Sequence, residues 1–339
     1  MKNKKVILVF FLSLCLGSYA QIGGIYDYQF LNRSISARQE ALGGHLVPIM
    51  DADAELIYQN PSVLDSSMEG TFSSAVQFFP ADIQFGMFNY IPKQDKNINY
   101  SFGTLYANYG SMREVSPDGE KTGRFYAGEM ANYLTLSTLY EGFKLGANLK
   151  LVNSFFAEFH AMALAVDVSA AYQLDTNKTQ IVASLKNVGY TFLKFSDEAM
   201  NMPIDLDLGI SRKLDHMPLT VFATAHTLNR WNILFEDDLN NNQIILVNDT
   251  TASQSNISIT DMAFRHVVLG GEFKFLNKLY FRLAYNYQRR QELKVISKVG
   301  TVGFSWGAGI VFKNWNLNYS RSNYHLAFSP NNLAISLRI

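Results

Sequence analysis

The sequence predicts an all-β chain: a membrane-spanning antiparallel β-barrel of about fourteen strands, preceded by a plug segment. Three observations carry this reading. Apolar and aromatic residues alternate with small or polar ones along most of the chain, which puts one set on each face of a strand. Short and long connections alternate between these segments. The composition is that of an exported, aromatic-rich chain: one cysteine, 14% aromatic residues including 18 Tyr and 25 Phe, and no apolar run of helix-spanning length after the first twenty residues.

Residues 1–20 read as a signal peptide. Lys2, Lys4 and Lys5 precede the apolar run Val6 to Leu16, and Ser18-Tyr19-Ala20 supplies a small-x-small cleavage site. Leu14 before Cys15 lacks the small residue that a lipoprotein signal wants. Cys15 is the only cysteine, so a mature chain starting at Gln21 has no disulfide, thiol nucleophile or Cys-ligated metal. With 29 basic and 29 acidic residues the chain is neutral, which argues against a nucleic-acid partner.

Residues 21–70 read as the plug. Ser36 with Gln39 forms a capping-box pattern at the start of a short helix through Arg38, and Gly43-Gly44 supplies a left-handed stop. Asp51-Ala52-Asp53 and Asn60-Pro61-Ser62 follow. The segment is too short for a second domain but long enough to thread into a lumen and block it.

Residues 71–339 read as the barrel, with strands at 71–79, 83–90, 99–108, 131–140, 143–154, 161–174, 179–188, 204–214, 219–228, 263–275, 279–289, 301–312, 315–322 and 332–339. The last three show the pattern best: Val302, Phe304, Trp306, Ala308, Ile310 and Phe312 alternate with small residues, and Leu333, Ile335, Leu337 and Ile339 close the chain. An aromatic-rich face opposite a small or polar one suits lipid outside and a polar interior. Glu141-Gly142, 175–178, 215–218, 276–278 and Lys313-Asn314 are tight turns. The connections 109–130, 190–203, 229–262, 290–300 and 323–331 are longer, as in barrels with short periplasmic turns and long surface loops. The connections 91–98 and 155–160 fit this alternation less well. Lys144, Lys150, Lys186, Asp167, Asp205, Asp207, Glu272, Lys274 and Arg282 fall on the inward face, where they can pair or be solvated.

No catalytic constellation stands out. Gly303-Phe304-Ser305-Trp306-Gly307 matches a nucleophile-elbow pattern, but it lies inside an alternating strand rather than at a strand-to-helix turn. The six histidines lack metal-ligand spacing. Glu236-Asp237-Asp238 offers oxygen ligands without the spacing of a calcium loop, so neither a metal nor a cofactor is expected. The 229–262 loop is the first partner-binding candidate, through Trp231, Phe235, Glu236, Asp237, Asp238 and Ile245, since loops of this length are uncommon unless functional or disordered. The 109–130 loop, with Arg124 and Phe125, is the second.

Phe30-Leu31, Ser36-Ala37-Arg38, Ala41-Leu42-Gly43-Gly44, Asp51-x-Asp53 and Asn60-Pro61-Ser62-x-Leu64 together resemble the start of mature PorQ proteins, outer-membrane components of the type IX secretion system. Gly123-Arg124-Phe125-Tyr126-Ala127, Gly146 to Lys150, Lys186 to Gly189 and Asn318-Tyr319-Ser320-Arg321 continue the resemblance along the chain. The Asn-Pro-small element is shared more loosely with PorV and with FadL-type fatty-acid channels, which have fourteen strands and an N-terminal plug. The resemblance implies a non-enzymatic barrel in the outer membrane of a Gram-negative bacterium, in contact with outer-membrane lipid. It also implies a role in holding a PorZ-like surface protein near PorU and PorV, which process exported cargo and attach it to a surface glycolipid. The alternative is a FadL-like channel for hydrophobic small molecules, with Val47, Ile49 and Met50 lining a pocket.

Overall fold

The computed structural model describes residues 26–94, 98–174, 178–196, 200–234, 258–276, 278–294, 300–325 and 327–339. Fourteen antiparallel strands close into one barrel. They are β1 (Thr71–Phe78), β2 (Gln84–Ile91), β3 (Asn99–Val115), β4 (Lys121–Tyr140), β5 (Phe143–Phe156), β6 (Phe159–Gln173), β7 (Thr179–Leu193), β8 (Asp205–Lys213), β9 (Leu219–Ala225), β10 (Val267–Phe275), β11 (Leu279–Asn286), β12 (Phe304–Phe312), β13 (Trp315–Ser322) and β14 (Asn331–Arg338). Each strand pairs with its sequence neighbours, and β1 pairs with β14 from Thr71↔Arg338 to Phe78↔Asn331, which removes both sheet edges. Among the described residues no helix is long and apolar enough to cross a membrane.

Alternation holds around the ring. On β14, Leu333 and Ile335 are exposed while Asn332 and Ala334 are buried; on β5, Leu149 and Leu151 are exposed while Asn148 and Lys150 are buried. The exposed set is apolar with aromatic residues near both rims, among them Tyr140, Phe143, Tyr172, Phe312 and Trp315 at the short-turn end. Such an exterior belongs in lipid, and a closed barrel with it belongs in the outer membrane of a Gram-negative bacterium.

All fourteen expected strands are present, with three corrections. First, 109–130 is not a loop: β3 and β4 run on as a hairpin to a turn at 116–120, with Met112 opposite Phe125 and Arg113 opposite Arg124. These strands are 17 and 20 residues long, more than the ~9–11 that a tilted crossing needs, so their ends rise above the membrane. Likewise 155–160 is not a loop: Phe155 and Phe156 pair with His160 and Phe159, and the tall β5–β6 hairpin turns at 157–158. Second, the region before β10 is helix α2 (Ile259–Arg265), not strand: Ser258 caps it by accepting from the Thr260 N–H. Third, 287–289 belong to helix α3 (Tyr287–Leu293), capped by the Asn286 side chain on the Arg289 N–H.

Inside the barrel lies segment 26–70, the described part of the chain before β1. It carries one short helix, α1 (Ala37–Ala41), and four 3-10 turns, at Gln29–Asn32, Ala54–Leu56, Pro61–Val63 and Ser66–Met68. Its apolar side chains form the core. Leu42, Val47, Ile49, Leu56, Ile57 and Val63 pack with Phe222, Val268 and Ala284 of the wall. Phe30, Leu31, Ile35 and Tyr58 pack with Leu105, Ala131, Tyr133 and Val152.

Candidate functional site

An irregular segment inside a barrel must satisfy its backbone polar groups without water. The wall supplies the partners from its inward positions. Asn332 donates to Ile35 O (3.2 Å), Ser322 to Glu40 O (3.1 Å), Thr224 to Leu46 O (2.8 Å), Ser211 to Pro48 O (2.6 Å), Asn148 to Tyr58 O (2.8 Å) and Ser137 to Leu64 O (2.7 Å). In the other direction the Ser62 N–H donates to Ser169 Oγ (2.8 Å). The small polar face opposite the lipid-facing one is therefore a row of hydrogen-bonding seats for the plug.

The plug residues singled out in the sequence hold it in place. Ser36 caps α1 by accepting from the Gln39 N–H (3.2 Å), but the Gln39 amide reaches forward to His45 O (3.1 Å), so the reciprocal half of the capping box is absent. Gly43 (φ +96°) and Gly44 (φ +84°) make the left-handed stop. A side chain on Gly43 would collide with Val268 of β10. Asn60 Oδ1 accepts from the Ser62 hydroxyl (2.6 Å), and Pro61 lies so close to Gly146 of β5 that only glycine fits there.

Arg38 is the hub. Its guanidinium donates to Asp51 (2.7 and 2.8 Å), to Asp53 (2.8 Å) and, across to β10, to both oxygens of Glu272 (2.8 and 3.0 Å). Glu272 also accepts from Arg282 of β11 (2.6 Å), Arg282 donates to Asn318 (2.6 Å), and Asn318 donates to Glu55 (2.5 Å). Glu55 accepts from Ser36 (2.9 Å) and the Arg38 N–H (3.3 Å), which closes the ring. A bidentate arginine at such a site fixes plug against wall in one orientation.

Of the other inward charges named above, Lys144, Lys150, Lys186, Asp167, Asp205 and Asp207 are in ion pairs. Lys150 meets Asp167 (2.6 Å), and Lys144 meets Asp65 of the plug (2.8 Å). Lys186 bridges Asp205 (3.0 Å) and Asp207 (2.9 Å). Lys274 lies over the Tyr280 ring at 5.4 Å. Ligand atoms of His45, Asp205 and Asp207 fall within 4.8 Å of one another, a spacing that admits a cation. Lys186 already sits between the two carboxylates, so its ammonium supplies the positive charge there. Ser305 is buried in β12 and accepts from Arg289 (2.9 Å), which places the Gly-x-Ser-x-Gly serine in a strand interior, away from any elbow.

At the extracellular mouth, imidazoles connect plug to surface. His45 stacks on His226 (3.7 Å), and Trp231 stacks on His266 (5.3 Å), whose ring nitrogens lie 2.8 Å from His226 O and 3.0 Å from Trp231 O. Trp231 remains 55% exposed. Phe235, Glu236, Asp237, Asp238 and Ile245 lie outside the described residues, as does the signal segment. Arg124 is exposed and Phe125 half-buried on the β3–β4 hairpin. Strands β3–β4 and β9–β10 stand on opposite sides of the ring, so the two candidate surfaces are not one site. Sequence reasoning missed Ile259 and Phe264, exposed on α2 beside the long connection; the Ser258-x-Thr260 cap was the available signal. Helices α2 and α3 are joined through Asp261, which accepts from Arg265 (2.8 Å) and the Tyr287 hydroxyl (2.6 Å). Burial would raise the Asp261 carboxyl, but the hydrogen bonds from Tyr287 and Arg265 outweigh it and hold the group below its ordinary value.

No family model and no curated protein matches the sequence. Solved structures do match. A deletion mutant of the monoaromatic hydrocarbon channel TodX is 12% identical, covering 91% of this chain and 99% of its own, with a TM-score of 0.54. The Pseudomonas putida toluene transporter TodX is 13% identical over 94% and 99%, with a TM-score of 0.52. A Pseudomonas aeruginosa FadL homologue is 10% identical over 90% and 98%, with a TM-score of 0.47. At these identities the likeness is one of fold.

Proposed function

We propose that the chain is a non-enzymatic anchoring barrel of PorQ type in a type IX secretion system, holding a PorZ-like surface protein near PorU and PorV. The observation that carries this reading is the occupied lumen. Arg38 and its carboxylates tie the plug to the wall, and of the three residues that a transport pocket would use, Val47 and Ile49 are buried in packed core with the half-buried Met50 against them. The extracellular face carries, among the described residues, the β3–β4 hairpin, α2 and the exposed Trp231. The ordered PorQ-like motifs supply the partner.

A second reading, a channel for hydrophobic small molecules, is favoured by the TodX likeness. The test separates the two. Epitope-tagged protein is drawn from outer membranes in mild detergent, and co-purifying proteins and lipids are identified. Anchoring expects PorZ-like or sortase-like surface proteins, lost on deletion of residues 235–257. Recovery of a bare barrel that takes up toluene or fatty acid into vesicles supports the channel and ends the anchoring reading.

A further inference from the structure

The lipid face of β11–β14 and β1 is ordered in rows by strand register. In one row Ser74 stands beside Ile335, which stands beside Leu317. In the row above, Leu333 stands beside Tyr319, which stands beside Ala308. The small Ser74 and Ala308 sink below their neighbours and leave an apolar groove of about 580 Å³, a ligand-sized volume.

The next row changes character. It sets Asn331 and Arg321 between Phe78 and Trp306. Arg321 continues the outward alternation of Leu317 and Tyr319, is exposed, and has no side-chain partner among the described residues. The Tyr319 hydroxyl donates to Asn331 Oδ1 (2.8 Å), and the Trp306 ring meets that of Tyr319 at 5.6 Å. Arg321 lies six residues beyond the Trp315 girdle, roughly 20 Å along the strand, toward the long-loop end. With strands tilted about 40° this is a rise of roughly 15 Å, past the midplane of an apolar band about 25 Å tall, so its level is the outer leaflet. An unpaired cation on a lipid-facing surface is costly, so its presence there calls for an anion.

We propose that this groove binds one phosphorylated glycolipid of the outer leaflet. An acyl chain lies along Ser74 and Ala308, and a headgroup phosphate accepts two hydrogen bonds from Arg321, whose planar fork matches phosphate oxygens. The Asn331 amide nitrogen, its oxygen being taken by Tyr319, flanks the same phosphate. The site is independent of both functional readings above, because it lies outside the barrel and uses no plug or loop residue.

The test is native mass spectrometry of the full chain with bis-phosphorylated lipid A, the same lipid A after dephosphorylation, and phosphatidylglycerol. We expect one lipid A per barrel, retained at least roughly tenfold better than the dephosphorylated form, as one charge-assisted contact allows. Arg321→Gln removes that preference and Arg321→Lys keeps part of it. Ala308→Trp fills the groove and lowers retention of both forms. Equal retention of the two lipid A forms by the unaltered protein, a comparison that needs no variant, overturns the proposal. Displacement of lipid A by equimolar phosphatidylglycerol also overturns it.

Discussion

Leu149 and Lys150 are neighbours on β5 and face opposite worlds. Leu149 is 52% exposed and meets lipid; Lys150 is 1% exposed and meets Asp167. Both faces of the strand are therefore dry, one because it touches acyl chains and the other because the plug has displaced water. A polar inward face is ordinarily taken as a wetted surface, yet here Asn148, Asp167, Asn187 and Asp207 are fully buried. Polarity on this face serves to bind another piece of the same chain.

Breaking the inner face should cost most. Arg38→Met leaves Asp51, Asp53 and Glu272 without their shared cation, and loss of one partner from a buried pair costs about 3–5 kcal/mol. Urea unfolding in vesicles, followed by heat-modified gel mobility, should show that loss; an unchanged midpoint would mean that Arg38 is not the tie. On the outer face, Leu149→Arg should cost about 2–4 kcal/mol, since no pairing partner exists in lipid. A neutral effect there would move β5 out of the membrane.

Backbone fit comes next. Gly43→Ala adds a methyl at φ +96° against Val268 and should cost about 1–3 kcal/mol by the same unfolding assay. The smallest effect lies outside the membrane. Asp261 is held below its unfolded value, so the stability that it gives to the α2–α3 junction is present above about pH 4 and fades as pH falls further. Protection factors at 259–265, corrected for the intrinsic exchange rate at each pH, should fall from pH 7 to pH 3, while those of β12–β14 stay high.

These contrasts also explain what could be read from the chain. Period-two alternation and unequal connections gave all fourteen strands, because lipid and plug impose opposite demands on the two faces. The 109–130 hairpin escaped notice because it stands above the membrane, where Arg113, Glu114, Lys121 and Arg124 need no apolar face. Helices α2 and α3 are seven residues each, too short for a 3.6-residue period to declare itself. The plug was legible as a segment through Ser36, Gly43, Gly44 and Asn60-Pro61, but its attachment was not. Arg38 and Glu272 are 234 positions apart, and nothing local couples them.

The position of the plug has a consequence for biogenesis. Its start is held at the extracellular mouth, where the Asp27 N–H donates to Asn201 O (2.9 Å), while its end joins β1 at the periplasmic rim, where Gly70 pairs with Ile339. The filling thus precedes the wall in the chain, and that wall is closed only where β14 meets β1. Asn332 on that strand seats Ile35, 297 residues earlier. The β1–β14 seam therefore closes on a segment laid lengthwise inside it, and the strand that zips the wall also holds the contents.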